Sequence, residues 1–264
     1  MPAKKIFDII YSIGDTCAVA LYLKQFCTRA TSGPFDWVGN GTFKERTNCI
    51  CNHFDGFLDY DSMAEITSGK YYISNGKHTH ERFICQRNGY VFIHDFELNQ
   101  PLEVSFPSVK EKYSRRINRM LQALKTKKCL LVWFSMEQQT SDEEILEQSQ
   151  KLNNLFGQCI HLLVIEHDEQ IPIGDIQYKQ LNGHIERYTL YAKEYDKQGN
   201  LKTKGNKELL NSIFSQYDLP NSAALRRKKA IKVFIVRLST SLLPIKSLRK
   251  KLRKKYTPSN AEGD

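Results

Sequence analysis

A cysteine that opens a helix directly after a strand is a candidate nucleophile, and Cys17 has that setting. The apolar run 6–11 (IFDIIY) reads as a buried strand, and 16–26 (TCAVALYLKQF) carries Ala18, Leu21, Tyr22 and Phe26 at helical spacing. Asp15 or Thr16 is the expected N-cap, which puts Cys17 in the first turn. The positive end of the helix dipole and unpaired backbone N–H groups there favour thiolate. The same N–H groups suit an oxyanion. A small buried cysteine is the plainer alternative. His94, in VFIHDF, follows apolar strand residues and is a candidate base for a thiol at another strand end.

Three other clusters are less specific. Tyr113, Arg115, Arg116 and Arg119 could clamp a phosphate or carboxylate, since arginine forks bind both bidentately; a solvated helix face gives the same pattern. Cys49, Cys51 and His53, with His78, His80 and Cys85, have zinc-ligand types but poor zinc spacing, so no metal site is expected. Gly14-Asp15-Thr16 is a faint echo of serine esterase blocks, with Thr where the nucleophilic Ser would stand.

The elements that must position these residues alternate. Strands are expected at 71–73, 82–85 and 90–94, and an amphipathic helix at 109–125. CLLVWF (129–134) is fully apolar, and CIHLLVI (159–165) reads as another buried strand. They flank a helix at 141–156 whose Ser141 and Glu144 form a capping-box signal. Strand, helix, strand in this order predicts a parallel sheet. Residues 186–195 read as a strand, 196–200 as a turn and 206–217 as a helix. The expected fold is α/β: a central, mostly parallel sheet flanked by helices, doubly wound in pattern, with basic amphipathic helices at the C-terminus.

The net charge of +10 belongs to one end of this 264-residue chain. From Leu219 onward lie 13 of its 39 Lys and Arg but only two of its 29 acids, Glu262 and Asp264. The body is therefore near neutral, which lowers the case for a nucleic-acid-binding face. Three parts are expected: a catalytic domain (1–218), a basic amphipathic tail (219–256) and a disordered end (257–264). Leu225, Ile231, Phe234, Ile235, Leu238 and Leu242 alternate with Arg226, Arg227, Lys228 and Lys229; Arg249, Lys250, Lys251 and Arg253 follow Pro244. Apolar side chains buried at an interface with cations toward anionic headgroups would hold such a segment on a membrane. No secretory signal and no run of 18 apolar residues is visible. Seven cysteines are read as reduced thiols in an intracellular protein.

Four motifs occur in order: Ser12-Ile13-Gly14-Asp15-Thr16-Cys17, the SGPFDW turn (32–37), His94-Asp95-Phe96, and Tyr113-Ser114-Arg115-Arg116. Together they resemble a bacterial family of papain-like cysteine peptidases, largely of unknown function, over residues 6–195. The resemblance implies Cys17 as nucleophile and His94 as its base. Asp36 and Asp95 also match motif positions, without a settled role. It raises Tyr113, Arg115, Arg116 and Arg119 as substrate-binding residues. Many relatives have Gly-Ser-Asn-Cys where this chain has Gly-Asp-Thr-Cys, so Thr16 bears on any oxyanion hole. The tail, LLPIKSLRKKLRKK, is similar to the basic ends of bacterial surface-polysaccharide assembly proteins, and a capsule-biosynthesis acetyltransferase shares a Gly-x-Cys motif after its first strand.

These likenesses imply a thiol-dependent hydrolase or acyltransferase at the cytoplasmic face of the cell membrane. Its partners would be the anionic membrane surface and a glycan or lipid-linked glycan precursor, not nucleic acid. No cofactor is required, and a CoA thioester is a candidate acyl donor. The alternative is a non-catalytic, membrane-tethered scaffold of a glycan-assembly complex.

Overall fold

The computed structural model describes residues 3–67 and 80–241. The expected strand at 71–73, the cations Arg249, Lys250, Lys251 and Arg253 and the segment 257–264 lie outside them.

The chain starts with β1 (Lys5–Ile6) and β2 (Ile9–Ser12), so the apolar run read as one strand is two. α1 (Ala18–Phe26) follows, then β3 (Val38–Gly39) and α2 (Phe43–Cys51). Next come β4 (Met63–Glu65), β5 (His80–Cys85) and β6 (Tyr90–Glu97), and the long α3 (Leu102–Thr126). Strand, helix and strand then alternate through β7 (Cys129–Ser135), α4 (Asp142–Phe156) and β8 (His161–His167). A hairpin of β9 (Ile176–Asn182) and β10 (Ile185–Leu190) precedes α5 (Lys207–Phe214), β11 (Tyr217–Asp218) and α6 (Ser222–Ser241).

The central sheet has the order β2-β7-β8-β10-β9, parallel except for β9 at one edge. The expected α/β class with a mostly parallel, helix-flanked sheet is what the chain adopts. Both faces of β7 are covered: it is apolar from Cys129 to Phe134 and buried at every position. Leu130, Val132 and Phe134 point toward α1 and α5, and Leu131 and Trp133 toward the opposite core, which reaches α3, α4 and a second sheet. That second sheet, β3-β6-β5-β4, is antiparallel. Each large side chain buried in these layers contributes roughly 1.5–3 kcal/mol.

Three differences from the sequence reading have local causes. α3 begins at Leu102, well before residue 109, and runs through Pro107. A proline removes one helical hydrogen bond, which makes the preceding turns look non-helical, yet packing of Phe106 and Val109 in the core carries the helix through it. The strand expected at 186–195 ends at Leu190. α2 was not expected, although Thr42 and Glu45 form a reciprocal capping box at its start.

Candidate active site

β2 delivers the chain to a tightly clamped turn. The Ile13 N–H donates to Val132 O at 2.8 Å, which extends the pairing with β7 by one residue. Gly14 presses on β7: an added Cβ would lie 3.0 Å from both Phe134 O and Val19 Cγ2. Asp15 is buried, and Ser135 Oγ donates to its Oδ2 at 2.6 Å. That same Ser135 Oγ accepts from the N–H groups of Glu137 and Gln138, at 3.1 and 2.9 Å. The turns after the parallel neighbours β2 and β7 are thus tied to each other. On the far side, Asn40 N–H donates to Asp15 O at 3.0 Å.

Cys17 leaves this turn as the N-cap of α1 itself, rather than as a first-turn residue behind Asp15 or Thr16. The Thr16 hydroxyl accepts from Ala18 N–H at 3.4 Å, and the Cys17 carbonyl accepts the first helical bond, from Leu21 N–H, at 3.1 Å. The thiol is half-buried. Burial is the dominant influence on it and pushes its pKa up to about 11, against its own backbone N–H and the charge of Lys204, which both lower it. The sequence suggested a lowered thiol pKa from the helix dipole. In the folded protein burial outweighs the backbone N–H and Lys204, and the thiol lies above its ordinary value instead.

His94 owes its position to an irregularity in β6. Glu81 pairs with Phe96 and Phe83 with Phe92, so three residues of β6 (93–95) stand opposite one of β5. Such a bulge turns side chains out of the regular alternation. Phe92 and Phe96 stay in the core while His94, between them, is exposed. Its ring meets Trp37 edge to face, at 5.6 Å and 83°. Trp37 in turn lies 5.6 Å from the Arg29 guanidinium.

Cys17 and His94 line one cavity of about 850 Å³. Its walls are the turns after β2 and β7, Trp37 and Gly39, the β6 bulge, Lys112 and Arg116 of α3, and Leu201 and Thr203 after β10. The turns after β2 and β7 stand at the carboxyl ends of parallel strands, where open α/β sheets bind ligands.

The remaining expected residues divide between the cavity and its supports. Thr16, Asp95 and Arg116 line it. Asp95 is already engaged: Tyr113 donates to Oδ2 and Lys112 pairs with Oδ1, each at 2.7 Å. Tyr113 is buried behind this pair, its ring tilted against Phe57 and edge to face with Phe92, and so acts as a support rather than a surface for substrate. Asp36 is buried outside the cavity lining. Its Oδ2 accepts from Gly33 N–H at 2.9 Å and from Arg29 Nε at 2.8 Å. Burial is the largest influence on that carboxyl and raises it, against Arg29 and the Gly33 N–H. Asp36 therefore fixes the SGPFDW turn that carries Trp37.

Arg115 and Arg119 are exposed and absent from the cavity lining, and Arg115 pairs with Glu111 one turn earlier. Residues 113, 115, 116 and 119 of one helix spread over several faces, so they cannot all reach one ligand. Arg116 remains. Its guanidinium covers the Tyr113 ring at 5.1 Å, and its buried Nη1 has no hydrogen-bond partner among the described residues. Cys49 and Cys51 fall on helix α2 rather than on a strand, so their side chains diverge. Among the described residues no three or more His, Cys, Asp and Glu are gathered for a metal.

The site includes residues that motif reading passed over. Trp37 stood inside a quoted motif without a role. Lys112 was one charge of a basic helix. Ser135 carried no signal, because its partner Asp15 is 120 positions away.

Comparison with known proteins covers the same elements. Residues 8–169, from β2 through β8, match a family described as "Putative papain-like cysteine peptidase". An uncharacterized protein of Acanthamoeba polyphaga mimivirus is 29% identical over 121 residues, 42% of this chain and 54% of that protein. The chain thus spans about half the length of that curated relative. No solved structure matches the chain.

Proposed function

Because this chain belongs to the putative papain-like cysteine peptidase family, we propose that it is a thiol-dependent acyl-transfer enzyme, with Cys17 as nucleophile and His94 as general base. The observation that carries this reading is that one cavity takes its lining from both residues.

The chemistry runs in two halves. His94 takes the Cys17 proton as Sγ bonds to the substrate carbonyl carbon. The bond to the leaving group breaks, that group takes the proton from the imidazolium, and a thioester remains on Cys17. Water or a hydroxyl acceptor then attacks the thioester while His94 accepts its proton. The Sγ–C bond breaks, and the thiolate recovers a proton from His94. Hydrolysis and acyl transfer share this intermediate. The backbone N–H groups at the start of α1 suit the oxyanion. Arg116, with its unpaired Nη1, suits a carboxylate or phosphate on the substrate, including the phosphates of a CoA thioester donor.

The test is trapping of the acyl-enzyme. Incubation with an activated acyl ester or acetyl-CoA, quenched in acid, should add one acyl mass to the peptide containing Cys17. Cys17→Ala should lose the adduct and at least about 10³-fold in turnover, with an unchanged melting temperature. His94→Ala should slow adduct formation without moving its position. A Cys17→Ala protein as active as the parent refutes the proposal.

A further inference from the structure

α6 turns its apolar side outward. Arg226, Lys229, Val233 and Val236 are half-buried and Thr240 is buried, at a spacing that marks one side of the helix as covered. Ile231, Phe234, Ile235 and Leu238 recur at i, i+3, i+4 and i+7 on the other side, 52, 66, 56 and 59% exposed. A surface helix ordinarily buries its apolar stripe against the body and shows solvent its charges. Here the stripe faces solvent. The helix is nonetheless fixed at its start: Arg226 donates to both Asp218 carboxylate oxygens, at 3.1 and 2.7 Å, and to Phe26 O at 3.2 Å.

Charge selects what this stripe fits. α6 contains six Lys and Arg and no acid. Arg227 lies at the start of the outward side, and Lys228 and Lys232 run along its flank. A second copy of the helix would bury the stripe but bring two cationic arrays together. A nucleic acid would pair the cations and leave four large apolar side chains in water. An anionic lipid surface meets both demands, since apolar side chains enter the headgroup boundary while cations stay at the phosphates. Among the described residues no helix is long and apolar enough to cross a membrane, so the contact is interfacial.

We propose that the outward face of α6, centred on Phe234 and Ile235, docks the protein onto an anionic lipid surface. This does not depend on the chemistry at Cys17.

The test is co-sedimentation of the full chain with vesicles. The protein should pellet with phosphatidylcholine and phosphatidylglycerol mixed about two to one, and stay in solution with phosphatidylcholine alone. Phe234→Glu/Leu238→Glu should cut binding at least about tenfold. Both side chains are exposed, so the melting temperature and helix content should hold. Lys228→Glu/Lys232→Glu should weaken binding as well. Undiminished binding by the Phe234→Glu/Leu238→Glu protein overturns the proposal, as does equal binding to neutral vesicles. So does self-association that the Phe234→Glu change abolishes when vesicles are not bound. RNA binding that survives the apolar changes, without vesicle binding, would assign the face to nucleic acid instead.

Discussion

Tyr113 donates its hydroxyl hydrogen to Asp95 Oδ2 at 2.7 Å, from a ring buried between Phe57, Phe92 and the Arg116 guanidinium. Two motif residues, one on β6 and one on α3, are thereby fastened together directly beside His94. The Asp95 carboxylate is engaged on both oxygens. It holds the bulge against α3, and its other oxygen is taken by Lys112.

Separate loss of either partner should therefore cost stability before it costs chemistry. Tyr113→Phe should destabilise by about 1–2 kcal/mol and Asp95→Ala by about 2–3 kcal/mol, since the latter strands two donors. Urea melts of both single variants and the double variant should give a coupling energy of about 1–2 kcal/mol. His94→Ala should reduce turnover with little change in melting. If Asp95→Ala left stability intact while abolishing turnover, Asp95 would have to act on the reaction itself.

The pH dependence of Cys17 alkylation follows from its burial. A thiol raised to about 11 is protonated at neutral pH, and the reactive anion grows about tenfold per pH unit below that value. Iodoacetamide rates in the substrate-free protein should climb steadily from pH 7 and level off only near 11. A plateau beginning below pH 7 would mean that the thiol is already ionised, and that His94 is not needed to remove its proton.

Gly14→Ala probes the seat of Cys17, the proposed nucleophile. Its Cβ would meet Phe134 O and Val19 Cγ2 at 3.0 Å and Phe134 N at 3.1 Å. Two of these three atoms are backbone of β7 and cannot yield, so the Cys17 turn must shift. The expected cost is about 1–3 kcal/mol of stability and a fall in turnover larger than the change in substrate KM. Steady-state kinetics beside a thermal melt check both. Unchanged kcat would show that the turn tolerates displacement.

Asp218 ties the body to α6 and should make that link acid-sensitive. Burial raises its carboxyl, but hydrogen bonds from Arg226 and Ser222, the Leu219 N–H and Lys4 outweigh this and hold it well below the usual range. A carboxyl depressed in the folded state adds stability above its unfolded pKa of about 3.9 and loses it as pH falls toward the folded value. Asp218→Asn should cost about 1–2 kcal/mol at pH 7, discounted because Arg226 is partly exposed. The gap from the parent should narrow as the pH drops below about 4. A gap that stays constant with pH would mean that Asp218 contributes through shape alone.

Much of this molecule is legible in the sequence because its causes are local. The apolar runs around residues 131 and 163, flanking a capped helix, read as buried strands, and β7 and β8 form there. Cys17 at the start of α1 follows from a strand, a glycine turn and helical spacing in succession, and His94 and Arg116 stand in motifs of a few residues. The capping box at Thr42 and Glu45 was equally local and was simply passed over.

Tertiary structure decided what depends on partners far apart in the chain. Ser135 reaches Asp15 across 120 positions, and no periodicity encodes such a pairing. The two-residue excess in β6 that separates His94 from Phe92 and Phe96 exists only relative to β5. Whether an arginine of α3 lines the cavity or points to water depends on how the helix is rotated against the sheet, which selected Arg116 over Arg115 and Arg119. The thiol shows the same division. Sequence placed it at a helix start, a setting that favours thiolate, but the depth of burial, a property of the whole fold, raises its pKa.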